Sequence, residues 1–478
     1  MAKFNSTNTI KTTNHDGHVA YSMRDKEKLV TQVLTSFFNE EKFYGDNTND
    51  MVETIKRVVA NDPAFISKLA VFARKEFHMR SVAHVLTAYL AHEPAGKSFV
   101  RDTIRGVCER GDDLTEIMAF YLTTFGKPIP NSLKKGINDQ MVRFDEYTLA
   151  KYKGDSKSVK MRDLICLCRP KPETPEQSDL FKRCLEDRFE TPLTWESELS
   201  AHGNNAETWE KLIASGKVGY MALLRNFRNI INAHPANIDK VYEKIADPEA
   251  VKRSKQLPFR YLSAYKSIRD CGTSKAFDAL ESAVEASIKN IERLPGLSVV
   301  AIDVSVSMDS HISAKSEMTA GEIAWMLGII ASRICEDSIV YTFDTSLNTM
   351  QISHHTAILN ECTRANVGGG TDMSLPFLEI QKRGIKPDRV IVISDNQCNS
   401  GYSWYHRKTI GQLADETRRS VGQNFWVHAI DLMGYGTQQF SGPETNIIAG
   451  WSEKVLDFIR IAENGKHSIF EKIDGYAW

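Results

Sequence analysis

Asp303, Ser305 and Ser307 form a DxSxS pattern at the end of the apolar run LSVVAI, residues 297–302. That spacing puts one carboxylate and two hydroxyls on the same side of a turn. Hard oxygen donors of this kind suit Mg²⁺ or Mn²⁺ rather than zinc. A second segment, Gly368-Gly369-Gly370-Thr371-Asp372, joins a backbone free to approach closely to a further hydroxyl on Thr371. A third, Ser394-Asp395-Asn396, ends another apolar run, RVIVIS. Where the three segments meet, oxygen donors converge on one divalent cation and leave room for water or a ligand. The competing reading has Asp303 and Asp395 capping helices or turns.

A different chemistry is carried by residues 127–171, which hold eleven Lys or Arg against five Asp or Glu in a chain that is otherwise balanced. The densest part, 149–172, contains Lys151, Lys153, Lys157, Lys160, Arg162, Arg169 and Lys171. Cations spread over one face suit phosphates, and Tyr147 and Tyr152 could stack on unpaired bases. The plain alternative is a solvated helix face followed by a lysine-rich turn. Arg225 and Arg228, in LLRNFRN, read either as RNA contacts or as structural ion-pair partners. Cys166 and Cys168 are two residues apart on an expected helix, which points their thiols apart and argues against a soft-metal site with Cys184. His354 and His355 read as a surface turn, and His78 and His84 as ordinary hydrogen-bonding residues. Phosphate-loop, HExxH and GxSxG motifs do not occur, so ATPase, zinc-peptidase and α/β-hydrolase chemistry has no motif support, and no enzyme is expected.

The elements that must position these residues follow from patterning. The chain of 478 residues, 42% hydrophobic, can bury several cores, which excludes wholesale disorder. Its net charge of -1, from 60 Lys plus Arg and 61 Asp plus Glu, gives no global pull toward nucleic acid or membrane. Eight scattered cysteines without a CxxC, and no signal-like or membrane-length apolar run, point to a reducing compartment and a cytoplasmic location. Residues 1–24 read as a flexible arm. Residues 25–293 carry helical periodicity in a dozen stretches, with strand-like alternation nearly absent, and suggest stacked helix pairs of the HEAT kind. From 294 to 478 the style changes. Apolar runs at 297–302, 338–343, 389–394 and 425–431 alternate with helical stretches near 319–333, 373–383, 405–420 and 451–463, which implies a doubly wound α/β domain with a site at the strand ends.

The DxSxS, Gly-rich Thr and terminal Asp segments together resemble the von Willebrand factor type A domain and its metal-ion-dependent adhesion site. The resemblance implies that Asp303, Ser305, Ser307, Thr371 and Asp395 form the metal shell, that Asp372 binds directly or through water, and that the cation grips a partner's carboxylate. The whole order of motifs, LAKYK at 149–153, RDLICLCRPKP at 162–172, MALLRNFRNI at 221–230, PFRYLSAYKSI at 258–268, AIDVSVSM at 301–308, GGTDMSLP at 369–376 and ISDNQ at 393–397, resembles the TROVE module family of the sixty-kilodalton Ro autoantigen and its bacterial relatives. This implies a ring of HEAT-like repeats formed within one chain and closed by the type A domain. Its outer surface would bind Y-like RNA through the region matching 149–172, and its hole would accept 3′ ends of misfolded RNA. A nuclease or RNA-repair protein would be the expected partner. Arg169 stands where animal members have His, and Arg keeps its charge more durably. Two readings compete with an RNA-binding scaffold: a Mg²⁺-dependent module gripping an acidic protein, and a metal-dependent nuclease. The nuclease fares worst, because one cation ringed by hydroxyls is poor in the carboxylates of two-metal sites.

Overall fold

The computed structural model describes residues 10–14, 19–35, 48–154, 158–190, 194–256, 258–289, 291–311, 318–353, 356–399, 409–442, 444–449, 453–463 and 469–477. These fall into two compact units, one of Asp25–Leu193 with Phe470–Trp478, the other of Met1–Arg24 with Thr194–Ile469.

The first unit is helical throughout residues 25–193, with no strand among the described residues. Its helices start where the sequence supplies caps. Asp62 accepts from the Phe65 amide at 3.0 Å and Pro63 takes the first helical position, so the Pro63–Glu76 helix begins there and buries Phe65, Ile66, Leu69 and Phe72. A Cβ on Gly106 would lie 2.6 Å from Val71, and one on Gly136 would lie 2.6 Å from Ile104. These glycines let the Pro63–Glu76, Val100–Val107 and Asn131–Met141 helices approach closely. Arg74, Arg80 and His84 surround the fully buried carboxylate of Asp113 in a polar network at the centre of this unit. The chain's last residues return to it: Tyr476 meets Phe72 edge-on at 5.4 Å and donates to Glu76 Oε1 at 2.8 Å.

The second unit joins the helices between Trp195 and Ile288 to an α/β domain. Its main sheet comprises β3 (Leu294–Asp303), β4 (Cys335–Phe343), β5 (Leu347–Met350), β6 (Arg389–Ser394), β7 (Trp426–Asp431) and β9 (Thr445–Ala449). The order is β5-β4-β3-β6-β7-β9, parallel except for the β4–β5 pair. Every residue of β6 is buried, as a strand covered on both faces requires. Three polar contacts tie the helices to this domain. Lys266 donates to Glu322 at 2.7 and 2.9 Å, Arg333 pairs with Glu285 at 3.3 Å, and Glu281 accepts the Leu359 and Asn360 amides that open the Ile358–Cys362 helix.

The LLRNFRN segment falls in two helices, Tyr220–Arg225 and Phe227–Ala233, broken at Asn226. The Asn226 side chain donates to the Ala222 carbonyl at 3.0 Å, a local bond that competes with helix propagation. The described part of the N-terminal arm is not flexible coil. It forms β1 (Lys11–Thr13) and β2 (Val19–Ser22), and β2 pairs with β8 (Thr437–Gln438) to complete a small antiparallel sheet. Ala20 and Tyr21 are buried there, which an unpaired arm could not achieve.

Candidate cation site and nucleic-acid interface

The DxSxS segment leaves β3 at the carboxyl edge of the parallel sheet, and the strand order sets Asp303 beside the end of β6. The Asp303 carboxylate is fully buried, accepting from the Ser305 amide at 2.8 Å through Oδ1 and from the Ser394 hydroxyl at 2.6 Å through Oδ2. Ser305 Oγ lies 3.1 Å from Ser307 Oγ, so both hydroxyls share one side of the turn. The glycine loop is zipped onto this turn, the Gly368 amide donating to Val304 at 2.8 Å and the Val306 amide donating to Gly369 at 3.1 Å. Gly369 has φ +70°, a backbone open to glycine, and a side chain there would press on Asp344 and Thr345.

Thr371, 1% exposed, is held by Asn399, whose Oδ1 accepts its amide at 2.8 Å and whose own amide donates to the Thr371 carbonyl at 3.1 Å. Asp395 follows β6, also 1% exposed, its Oδ1 accepting the Gln397 amide at 3.1 Å. The structure therefore gathers the three expected segments at one edge of the sheet. Burial, and then the negative charge of Asp395, push the Asp303 carboxyl well above the usual range. Asp372 is raised by burial too, and its Oδ1 is engaged by Ser374, which sets it behind the loop.

Two buried carboxylates that repel each other, surrounded by hydroxyls, form a donor set that fits a hard divalent cation. Asp303, Ser305, Ser307, Thr371 and Asp395 would hold it. Among the described residues no three His, Cys, Asp or Glu side chains cluster as metal ligands. Among the described residues, a cation here would draw on the carboxylates of Asp303 and Asp395, with neutral oxygens supplying the rest.

The strand-end row extends one position further than the sequence indicated. Asp431, at the end of β7 and opposite Ser394 in the β6–β7 register, is completely buried. Its Oδ1 accepts the Met433 and Gly434 amides at 2.9 and 2.8 Å, and burial pushes the carboxyl up to about 7, with Asp395 adding to the rise. The ending FWVHAID parallels that of β3, and that likeness was the signal available in the sequence.

The basic segment divides. Lys151 ends the Glu146–Lys151 helix, exposed, with its ammonium 5.3 Å from the centre of the Tyr147 ring and 5.6 Å from that of Tyr152. Arg110 stands 5.3 Å from the same Tyr152 ring, and Tyr147 is 52% exposed. Arg162, Arg169 and Lys171 are exposed and make no ion pair among the described residues, whereas Lys153 pairs with Asp187 at 3.5 Å. Lys160 is half-buried at the start of the Met161–Cys168 helix, and Arg169 closes that helix in the left-handed region at φ 53°. Lys157 lies outside the described residues, as do His354 and His355. Cys166 is exposed and Cys168 buried, on opposite sides of their helix, and burial pushes the Cys168 thiol up to about 12 and that of Cys184 up to about 11. Arg225 and Arg228 are exposed. Burial, and then the charge of Arg225, lower the guanidinium of Arg260 below its usual value. No helix among the described residues is long and apolar enough to cross a membrane.

Known proteins resemble this chain in both parts. Residues 298–406 match the Ro60 vWA domain model. The rat telomerase protein component 1 is 24% identical over a 327-residue alignment that covers 50% of this chain and 12% of that protein. The RNA-binding protein RO60 of Deinococcus radiodurans is 25% identical over 247 residues, 48% of this chain and 46% of that protein. The chain thus spans less than half the length of either relative. The crystal structure of the Deinococcus radiodurans RO (RSR) protein superposes with a TM-score of 0.65 at 18% identity, covering 93% of this chain and 100% of that one, which shows a shared fold of helices followed by the α/β domain. Residues 18–191 and 187–293, more than half of the chain, match the TROVE domain model, and the chain belongs to the TROVE domain family.

Proposed function

We propose that this protein is an RNA-binding scaffold of ribonucleoprotein particles that takes small structured, Y-like RNA together with misfolded RNA 3′ ends, and serves RNA quality control in the cytoplasm beside a nuclease or RNA-repair protein. The observation that carries the reading is the cluster of exposed Lys151, Tyr147 and Arg110 around half-buried Tyr152, with Arg162, Arg169 and Lys171 also exposed on the same compact unit. Arg110 is shared with Asp112 at 3.2 Å, whereas the guanidiniums of Arg162 and Arg169, with no ion pair among the described residues, suit phosphates, and an exposed tyrosine beside a cation offers a face to an unpaired base. Arg225, whose charge acts on Arg260, and exposed Arg228 add positive charge on the other compact unit.

The cation site is proposed to hold Mg²⁺, with Mn²⁺ as the alternative. A bound cation with an open position supplies a Lewis-acidic seat for a partner's carboxylate. The protein's own part is to keep Asp303 and Asp395 dry and to present the Ser307 hydroxyl at the surface. Val306, 61% exposed beside that hydroxyl, favours a second reading, in which this edge docks an acidic protein through the cation.

The deciding experiment purifies the protein at about 0.5 M salt, where weak phosphate contacts are screened, and sequences the nucleic acid that remains. One discrete small RNA per chain is expected. Charge reversal at Lys151, Arg162, Arg169 and Lys171 should then flatten the salt dependence of RNA binding by about 0.9 in log–log slope for each duplex phosphate that is no longer neutralised. Unchanged binding at all salt concentrations would refute the assigned surface, and absence of RNA would favour the protein-docking reading.

A further inference from the structure

The Val100–Val107 and Asn131–Met141 helices cross so closely that a Cβ on Gly136 would lie 2.6 Å from Ile104 and 3.4 Å from the Arg101 Cα. Arg101 and Arg105, one turn apart on the first helix, therefore stand against Asp139 and Gln140 near the end of the second. Arg143 follows two residues beyond that end. With Ser98 and Asp102, these side chains line one cavity of about 470 Å³ inside the first compact unit. That volume is in the range of small-ligand clefts and exceeds what a single phosphate fills, which leaves room for the sugars on either side of it.

The lining holds three guanidiniums against two carboxylates, a surplus of one positive charge. Arg101 gives Nε and Nη2 to Asp139 at 2.7 and 3.0 Å, which fixes the plane of its guanidinium and leaves Nη1 over. Arg105 meets Asp102 through Nη2. Both pairs are exposed, so they hold their partners weakly and yield readily to a stronger acceptor. Arg143 carries the surplus. Its amide donates to the Gln140 carbonyl at 3.0 Å and its Nη1 to the Gln140 side-chain oxygen at 3.4 Å, so a neutral residue, itself 5% exposed, holds it in place. It makes no ion pair among the described residues. Guanidiniums reaching in from two helices suit a tetrahedral anion, whose oxygens point in several directions, better than a planar carboxylate.

We propose that this cavity binds one singly charged phosphate group, a phosphodiester of RNA, with Arg143 supplying the charge and Arg101 and Arg105 further N–H donors. The phosphate chemistry stands on the cavity itself; RNA as its source rests on the RNA-binding reading above. The surplus of one charge matches a phosphodiester, which carries one negative charge. The place is distinct from the Lys151 cluster, none of whose residues lines the cavity.

The test titrates the full chain with a fluorescein-labelled oligouridylate at several salt concentrations and follows anisotropy. Arg143→Gln should weaken binding about tenfold and lower the log–log salt slope by about 0.7, the equivalent of one single-strand phosphate, and Arg143→Lys should restore the slope. Lys182→Gln, which removes an exposed cation of the same unit that does not line the cavity, should match the parent. Without RNA, modification of Arg143 by phenylglyoxal, mapped by mass spectrometry, should slow when inorganic phosphate replaces chloride at equal ionic strength, and acetate should give no such protection. Parental affinity and slope in Arg143→Gln overturn the proposal and leave the RNA-binding scaffold standing. Acetate protecting as well as phosphate overturns it too, in favour of an acidic protein. If no RNA binds the parent, while phosphate still protects Arg143, the cavity stands with the free ion as its ligand and the scaffold reading falls.

Discussion

Asn14 Nδ2 donates to the carbonyl of Cys398 at 2.9 Å, across 384 positions of sequence. Through this bond, the Tyr21–Thr409 hydroxyl contact at 2.7 Å and the β2–β8 pairing, the N-terminal arm holds the loop that carries Asp395. Cys398 is 2% exposed, its Sγ 3.4 Å from the Thr371 carbonyl. Asn14→Ala should therefore speed alkylation of Cys398 about fivefold, the equivalent of one net hydrogen bond of ~1 kcal/mol. Mass spectrometry checks this, with exposed Cys166 as the unaffected reference. Equal Cys398 rates would show that the arm does not brace the loop.

The stacking surface separates from the electrostatic one. Tyr147→Ala should lower affinity for single-stranded RNA by about 1–3 kcal/mol and leave the salt slope unchanged, because a base stacked on an aromatic ring releases no counterion. Lys151→Ala should reduce the slope. Titrations at three or more salt concentrations distinguish the two, and a slope change in Tyr147→Ala would argue against stacking.

The network around Asp113 sets a pH limit on the helical unit. Burial lowers the His84 imidazole below its usual 6.5, so the unfolded chain binds the proton more readily. Stability should be lost as pH falls below about 6.5, and His84→Gln should flatten that part of the curve. Asp113 is held far below the usual carboxylate range. Burial opposes this, but the His84 hydrogen bond and the charges of His84 and Arg80 outweigh it. Its contribution is present above the unfolded value near 3.8 and is lost as pH falls from there. Asp113→Asn, which leaves Arg74 and Arg80 short of a buried partner, should cost about 3–5 kcal/mol. Urea midpoints from about pH 2 to 8 follow both losses, and the comparison near neutral pH gives the cost of Asp113→Asn.

Lys266 and Glu322, 16% and 14% exposed, join the helices to the α/β domain at 2.7 Å. A double-mutant cycle with Lys266→Met and Glu322→Gln should give a coupling of about 1–3 kcal/mol, well above that of an exposed pair. A value near zero would mean that this pair adds nothing to the joint, leaving it to the Arg333–Glu285 pair, the Glu281 contacts and apolar packing.

Mg²⁺ at about one hundred times its dissociation constant should stabilise the protein by ~2.7 kcal/mol. Asp303→Asn should abolish most of that gain and, without metal, unfold at a higher temperature than the parent, since it removes one of two repelling buried carboxylates. A parent whose melting temperature ignores Mg²⁺ would contradict the cation site.

Much of the fold was legible because burial writes itself into local patterning. RVIVIS at 389–394 is β6 to the residue, and the apolar runs at 297–302, 338–343 and 425–431 fall in β3, β4 and β7 or at its start. The helical face of Phe65, Ile66, Leu69 and Phe72 is likewise the buried one. The DxSxS and Ser-Asp-Asn segments were readable for the same reason, since each follows directly from a strand, and the glycine-rich segment was readable as the loop before the Leu375–Arg383 helix. What the sequence determined by itself is therefore the local part, namely element types, their order, and which strand or loop carries which oxygen donor.

Only the tertiary structure decided the rest, because those features depend on partners far along the chain. β1 and β2 carry no usable periodicity and exist as strands only beside β8, more than 400 residues away. Asp431 looked like the last residue of a strand, and only the fold shows it completely buried, its Oδ1 taken by the Met433 and Gly434 amides. Lys153 and Arg162 are equally basic in sequence, yet Asp187 folds back to neutralise one and leaves the other exposed. Charge and polarity are properties of a residue, whereas countercharge, burial and a free lone pair are properties of its neighbours in space.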